Sequence, residues 1–165
     1  MKLSSISKLI ACIVALLATG WVLRSQAAAP QVQRDVYDIT NFVPFEVGGT
    51  YLRNGDKITI EEVHGTSDKI AVGSLYEVKG SYTLASHDKA SLAIEVTSSD
   101  THHYPTLKPQ YQTVDKGSGH FTVYLYMWTE GNPHISFYPA DGGSSFASVY
   151  FGTGESVLKH ASWLE

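Results

Sequence analysis

Apolar and polar residues alternate with a period of two along most of the chain from residue 45 onward, which is typical of β-strands with one buried face. The clearest case is 75–84, where Tyr76, Val78, Tyr82 and Leu84 share one face and polar residues share the other. Further strands are predicted at 50–53, 56–60, 91–97, 120–129, 134–138 and 146–151. The end, 157–164, fits a strand or a short helix, and no convincing helical stripe appears elsewhere.

Turn-forming residues separate these segments. Asn54-Gly55 is the strongest local signal, because both residues tolerate the positive φ angles of a type I′ turn, and it predicts a hairpin between the flanking strands. Gly117-Ser118-Gly119 predicts a turn just before the strand at 120–129, and residues 100–109 are expected to form a long loop. Seven or eight short strands joined in this way predict an all-β fold, an antiparallel β-sandwich of jelly-roll or immunoglobulin-like type.

One stretch of the pattern resembles a known class of domain. Gly73-x-x-Tyr76-x-Val78-x-Gly80-x-Tyr82-x-Leu84, followed by Leu92-x-Ile94-x-Val96, is similar to the early strands of jelly-roll carbohydrate-binding modules. The resemblance consists of packing positions and covers a minor part of the chain. It implies a jelly roll, but it includes no ligand motif, so the ligand stays open.

The first 27 residues have the composition of a signal peptide for export. Lys2 and Lys8 precede an apolar run at 9–23, and small residues at 25–29 offer a cleavage site. The run is shorter than the about 20 residues needed to span a bilayer, so we expect cleavage and no stable membrane insertion afterwards. Most of the run follows Cys12, whereas a lipid-modified cysteine needs the run before it, and this disfavours lipidation.

Export divides the chain into a signal peptide at 1–27, a linker or loosely docked N-terminal segment at 28–44, and a single β-sandwich domain at 45–165. We therefore expect a secreted or periplasmic protein. A mature length of about 135 residues is enough for one domain with its own core. Because the only cysteine is Cys12, the mature chain has neither a disulfide nor a thiol nucleophile.

Charge narrows the range of partners. The chain has 12 basic and 16 acidic residues, a net charge of −4. Loss of Lys2, Lys8 and Arg24 with the signal peptide leaves nine basic against 16 acidic residues, a net charge of −7. A domain this acidic is not attracted to nucleic acid or to anionic lipid. The partners that we expect outside the cytoplasm are a glycan or an envelope protein.

The segment 120–128 carries the clearest candidate chemistry. Alternation places an apolar set toward the core, consisting of Phe121, Val123, Leu125 and Met127. Aromatic residues fall on the opposite face at a spacing of about 6.5–7 Å, which would let their rings stack along a sugar chain. The neighbouring strand would add polar groups beside the aromatic row. The predicted ligand-binding residues are Tyr124, Tyr126, Trp128, His134 and Tyr138.

The same residues allow more than one function. Packing within the chain explains the aromatic row without any ligand, and contact with a partner protein is a further alternative. No cofactor is expected, but an alternative function is extracytoplasmic metal binding through His102 and His103, with His87 or His134 as a third ligand. A small secreted hydrolase is the least favoured function, since there is no Gly-x-Ser-x-Gly motif and a turn explains Ser118 near a histidine. The sequence favours a non-catalytic binding or structural module.

Overall fold

The computed structural model describes residues 38–98 and 110–154, and within them the chain is all β. The strands are β1 (Asn41–Phe42), β2 (Glu46–Tyr51), β3 (Lys57–Gly65), β4 (Leu75–Thr97), β5 (Tyr111–Tyr126), β6 (Asn132–Pro139) and β7 (Ala147–Gly152). The predicted signal peptide, the long loop with His102 and His103, and the segment 157–164 lie outside the described residues.

All seven strands belong to one antiparallel sheet, ordered β1-β3-β4-β6-β7-β2, with β5 paired to β4 beside this path. The prediction of an all-β antiparallel fold is therefore confirmed. The described strands do not separate into the two sheets of a sandwich. Instead, the single sheet curls into a half-barrel around its core.

The curl comes from β4, a 23-residue strand. The sequence predicts two separate strands here, at 75–84 and 91–97, whereas the structure joins them and shifts the register against β5 between Leu84 and Lys89. The first half of β4 pairs with β3 and the second half with β6, while β5 follows both halves. A bulge of this kind bends and twists a strand, so the two halves can enclose one core.

The core lies on the face of β4 that carries its even-numbered residues. Tyr76, Val78, Leu84, Leu92 and Ile94 are all buried there. The apolar set predicted on β5 is buried against them, which confirms that prediction: Phe121, Val123, Leu125 and Met127. Val43, in the segment expected as a linker, is also buried, and its N–H donates to the Val63 carbonyl at 2.9 Å.

The turn predicted at Asn54-Gly55 is present, but the hairpin is not. Asn54 and Gly55 have φ angles of 55° and 84°, and the Asp56 N–H donates to the Arg53 carbonyl at 2.9 Å. Beyond the turn the strands diverge: β2 pairs with β7, and β3 pairs with β1 and β4. Without β2, the largely buried strand β7 would be an uncovered edge, and covering it outweighs the local preference for a hairpin.

The turn predicted at Gly117-Ser118-Gly119 is wrong, because these residues lie inside β5 opposite 82–84 of β4. A Cβ on Gly119 would come within 2.8 Å of the Tyr82 ring, so the glycine makes room for an aromatic neighbour. The strand consequently begins at Tyr111 and not at His120. The strands predicted at 134–138 and 146–151 correspond to β6 and β7, with bounds that agree within two residues.

Candidate functional site

The face of the sheet opposite the core, here called the outer face, carries polar and aromatic side chains where β4, β5 and β6 meet. On the second half of β4 this face presents Ala93 and Glu95. Ala93 lies between Tyr111 of β5 and Ser136 of β6, and Glu95 lies opposite His134 of β6. Three strands thus converge on one carboxylate.

Tyr138 lies along the outer face instead of standing away from it. It is the cross-strand partner of Ser91, yet its hydroxyl donates to Glu95 Oε2 at 2.6 Å. Ser91 and Glu95 are four residues apart on β4, about 13 Å along the strand, so the two side chains must lean toward each other. Between Ser91 and Glu95 lies the cross-strand pair Ala93 and Ser136, and both of these small residues are 0% exposed.

Tyr111 approaches the same carboxylate from the other side. Its hydroxyl donates to Glu95 Oε1 at 3.4 Å, and the residue is 51% exposed. The bond from Tyr138 is short and of the strength expected for a phenol donating to a charged acceptor, while the bond from Tyr111 is at the outer limit of hydrogen bonding. Glu95 is therefore held firmly at one oxygen and loosely at the other.

Both phenols are harder to ionise than a free tyrosine. Burial raises the pKa of Tyr138 well above its ordinary value of 10.0, and the hydrogen bond to Glu95 and the negative charge of Glu95 raise it further. The pKa of Tyr111 is raised in the same direction, first by burial and then by the charge of Glu95. The two tyrosines therefore stay neutral hydrogen-bond donors around one carboxylate.

We call this arrangement the tyrosine platform. It consists of Tyr111, Glu95 and Tyr138, together with the small residues Ala93 and Ser136 beside them on the outer face. Chemically it offers aromatic faces and a carboxylate. An ionised carboxylate has about four acceptor positions, and the two phenols occupy two of them. The platform can therefore pack against an apolar ring face while it accepts hydrogen bonds from neighbouring donors.

Four of the five residues predicted to bind a ligand are on strand positions of the outer face, and two of them, Tyr138 and His134, lie near Glu95. Tyr138 forms part of the platform. His134 is beside it on β6 but only 7% exposed, with its ring 4.8 Å from that of Tyr150 and its Nδ1 3.3 Å from the Thr97 hydroxyl. His134 therefore packs against its neighbours on the outer face and exposes little surface to a ligand.

The other three predicted residues lie elsewhere. Tyr124 is 1% exposed, and its hydroxyl donates to Glu77 Oε2 at 2.6 Å, a carboxylate that also contacts Lys79 Nζ at 3.4 Å. Tyr126 pairs with Leu75 at the far end of β4, and Trp128 follows the end of β5; both are half-buried. The structure does not bring these residues to Tyr138, because Tyr124 and Tyr126 lie opposite the first half of β4, whereas β6 pairs with the second half.

Sequence reasoning misses Glu95 and Tyr111 as site residues. Alternation does place Glu95 on the outer face, but a lone glutamate on a strand has no distinguishing signal. Tyr111 is missed because the strand that carries it is predicted to begin nine residues later, after a turn at 117–119. Tyr111 contacts Glu95 because β5 extends back to residue 111.

A second polar cluster lies at the bend of β4. Asp56 is buried, its Oδ1 accepts the N–H groups of Ala85 and Ser86 at 2.8 and 3.0 Å, and its Oδ2 accepts the Ser86 hydroxyl at 2.6 Å. Ser86 Oγ also lies 2.7 Å from Nδ1 of His87. Because the serine stands between the acid and the imidazole, the order differs from that of a catalytic triad, in which the histidine is central. The cluster holds the bulge in place.

The described residues give little support to the alternative functions, metal binding and hydrolysis. In residues 38–98 and 110–154, no group of three histidine, cysteine or acidic side chains is placed to hold a metal ion. The metal hypothesis itself stays a prediction, since His102 and His103 are outside that part of the chain. Ser118 does not pair with a histidine; its hydroxyl lies 2.9 Å from that of Thr83.

A comparison of the chain with models of known protein families finds no match, and comparisons with curated proteins and with solved structures find none either. No helix in the part of the chain that the structure describes is long and apolar enough to cross a membrane.

Proposed function

We propose that the β domain is a non-catalytic binding module and that its tyrosine platform binds carbohydrate. The observation that carries this proposal is the position of Tyr138, which lies along the sheet with its hydroxyl on Glu95. A ring that leans along the sheet in this way would have one face toward the small residues Ala93 and Ser136 and the other face directed away from the sheet.

The chemistry of the platform suits a sugar ring. The C–H face of a pyranose is apolar and packs on aromatic rings, while its hydroxyl groups are hydrogen-bond donors at the edge of the ring. Glu95 accepts such donors, and a hydrogen bond to a charged acceptor is about twice as strong as one between neutral groups. Tyr111, on the opposite side of Glu95, supplies a second exposed aromatic surface.

The experiment measures binding of soluble hexasaccharides, for example cellohexaose and the hexamer of N-acetylglucosamine, by titration calorimetry on the mature domain. Tyr138→Ala removes the central ring and should weaken binding about tenfold, which corresponds to roughly 1.4 kcal/mol of lost contact energy. Tyr126→Ala is the matched control: it removes a half-buried tyrosine outside the platform and should leave affinity unchanged.

Equal losses in the two variants would contradict a site at the platform. Absence of binding to every member of a glycan array by the wild-type domain would contradict carbohydrate binding itself. In that case an envelope protein is the alternative partner, and cross-linking in the intact cell envelope would identify it.

We also propose that residues 1–27 are a signal peptide and that the module acts outside the cytoplasm, secreted or periplasmic. The support is the order of a basic start, an apolar run and small residues in the sequence. A carbohydrate-binding role agrees with this location, because glycans are abundant at and beyond the cell surface.

A further inference from the structure

The two oxygens of Glu95 are unequally engaged. Oε2 accepts a short bond of 2.6 Å from Tyr138, and Oε1 accepts a bond of 3.4 Å from the half-exposed Tyr111. O–H···O bonds in proteins are usually about 2.5–3.0 Å, so Tyr111 contributes a weak bond that can be broken at small cost. Oε1 is thus the acceptor that an incoming donor can reach.

Building on the carbohydrate-binding function proposed above, we propose that Glu95 Oε1 determines specificity: a sugar hydroxyl displaces the Tyr111 hydroxyl, and the site selects uncharged or amino sugars over acidic ones. The displaced Tyr111 ring remains beside the ligand as a packing surface. Tyr138 keeps its bond to Oε2 and holds the carboxylate in position.

Charge on the outer face supports this selectivity. On the described part of β4, the lysine of this face that lies on the same half as Glu95 is Lys89. It is six residues away, about 20 Å along the strand, and forms an ion pair with Asp115 at 3.6 Å. A uronic acid carboxylate bound at the platform would therefore approach Glu95 with no strand-β4 cation beside it. Like charges brought together in this way oppose binding.

The titratable neighbours of Glu95 are Tyr111, Tyr138 and His134, one from β5 and two from β6. The two tyrosines are neutral at physiological pH. Measurements at pH 8 keep the carboxylate of a uronic acid charged and both phenols neutral.

The test compares cellohexaose and glucosamine hexamer with hexagalacturonate at pH 8 by titration calorimetry. Wild type should bind the first two at least tenfold more tightly than the acidic hexamer. Tyr111→Phe retains the ring and frees Oε1, so it should bind cellohexaose two- to fivefold more tightly. Glu95→Gln has nearly the same shape, and it should bind cellohexaose more weakly and discriminate less against hexagalacturonate.

The failure of this inference can be told apart from the failure of the proposed function. If cellohexaose binds in a manner that depends on Tyr138, but hexagalacturonate binds equally well or Tyr111→Phe lowers affinity, carbohydrate binding stands and this selectivity is wrong. If the wild-type domain binds none of the three hexamers and no member of the glycan array, the selectivity is wrong together with the function on which it rests. Circular dichroism and urea midpoints confirm that each variant is folded.

Discussion

Tyr138 and Glu95 are 43 residues apart in the chain, and their hydrogen bond links the second half of β4 to the end of β6. The bond has two effects. It draws the Tyr138 side chain along the sheet, and it adds to the effect of burial, the larger cause, in raising the pKa of the phenol. The same contact therefore contributes both to the proposed binding surface and to the response of the domain to alkali.

We predict that the free energy of unfolding falls above pH 10 and that Tyr138→Phe makes this fall shallower. The folded-state pKa of Tyr138 is raised above 10.0, so the unfolded chain loses the proton first as pH rises. The stabilisation is fully present below about pH 10 and is lost as pH rises through the folded-state value. Urea unfolding at pH 8, 10 and 11 measures the slope.

Tyr82 and Tyr111 also have raised pKa values, so the variant should retain part of the slope. The comparison between wild type and variant isolates Tyr138. Identical slopes would show that the contact with Glu95 does not persist in solution.

At the scale of elements, β4 decides the architecture. Alternation predicts its two halves as separate strands, since the residues between them, 85–89, break the pattern. The carboxylate of Asp56 explains how these residues are held within one strand: it accepts the two N–H groups that the bulge removes from the ladder. This long-range contact joins the turn before β3 to the bend in β4.

We predict that Asp56→Ala destabilises the domain by about 2–3 kcal/mol, because two backbone donors and a hydroxyl lose a charged acceptor together. Asp56→Asn should cost less, since one carbonyl oxygen remains to accept the backbone N–H groups. Urea unfolding followed by tryptophan fluorescence measures both variants.

The control for this prediction is Asp68→Ala, at an exposed position in the loop between β3 and β4. It should change stability by no more than about 0.5 kcal/mol. A similar small effect from Asp56→Ala would mean that the bend is held by its strand neighbours and not by the carboxylate.

At the scale of the whole molecule, the described fold begins at residue 38, after the predicted signal peptide. We predict that the full chain, expressed with a C-terminal tag in an exporting host, is found outside the cytoplasm with an intact mass that begins at Ala28. The apolar run at 9–23 is the physical basis, because its insertion delivers the cleavage site to the peptidase.

The matched variant replaces Leu16 and Leu17 with arginine, which should block export by placing charge in the apolar run. Wild-type protein retained in the cytoplasm at full-length mass would contradict the prediction. A mass that begins at Cys12 and includes a lipid would instead show a lipoprotein.

Much of the fold is predictable from local chemistry. Alternation identifies the strand segments and the buried face of β5, because a period of two sends successive side chains to opposite faces. Asn54-Gly55 forms its turn because both residues adopt positive φ at low cost. Glu95 is expected to point outward, and it does. These features depend on neighbouring residues only.

Only the tertiary structure decided which strands pair and which side chains meet. β2 pairs with β7 instead of β3, the glycines at 117–119 continue β5 instead of forming a turn, and the strands form one curled sheet instead of a sandwich. Each of these features depends on pairing between strands that are distant in the sequence. Tyr124 is buried on Glu77, 47 residues away, while Tyr111 and Tyr138 reach Glu95 from two neighbouring strands. Alternation predicts the face on which a side chain lies, but contacts between distant strands determine which residues become its neighbours.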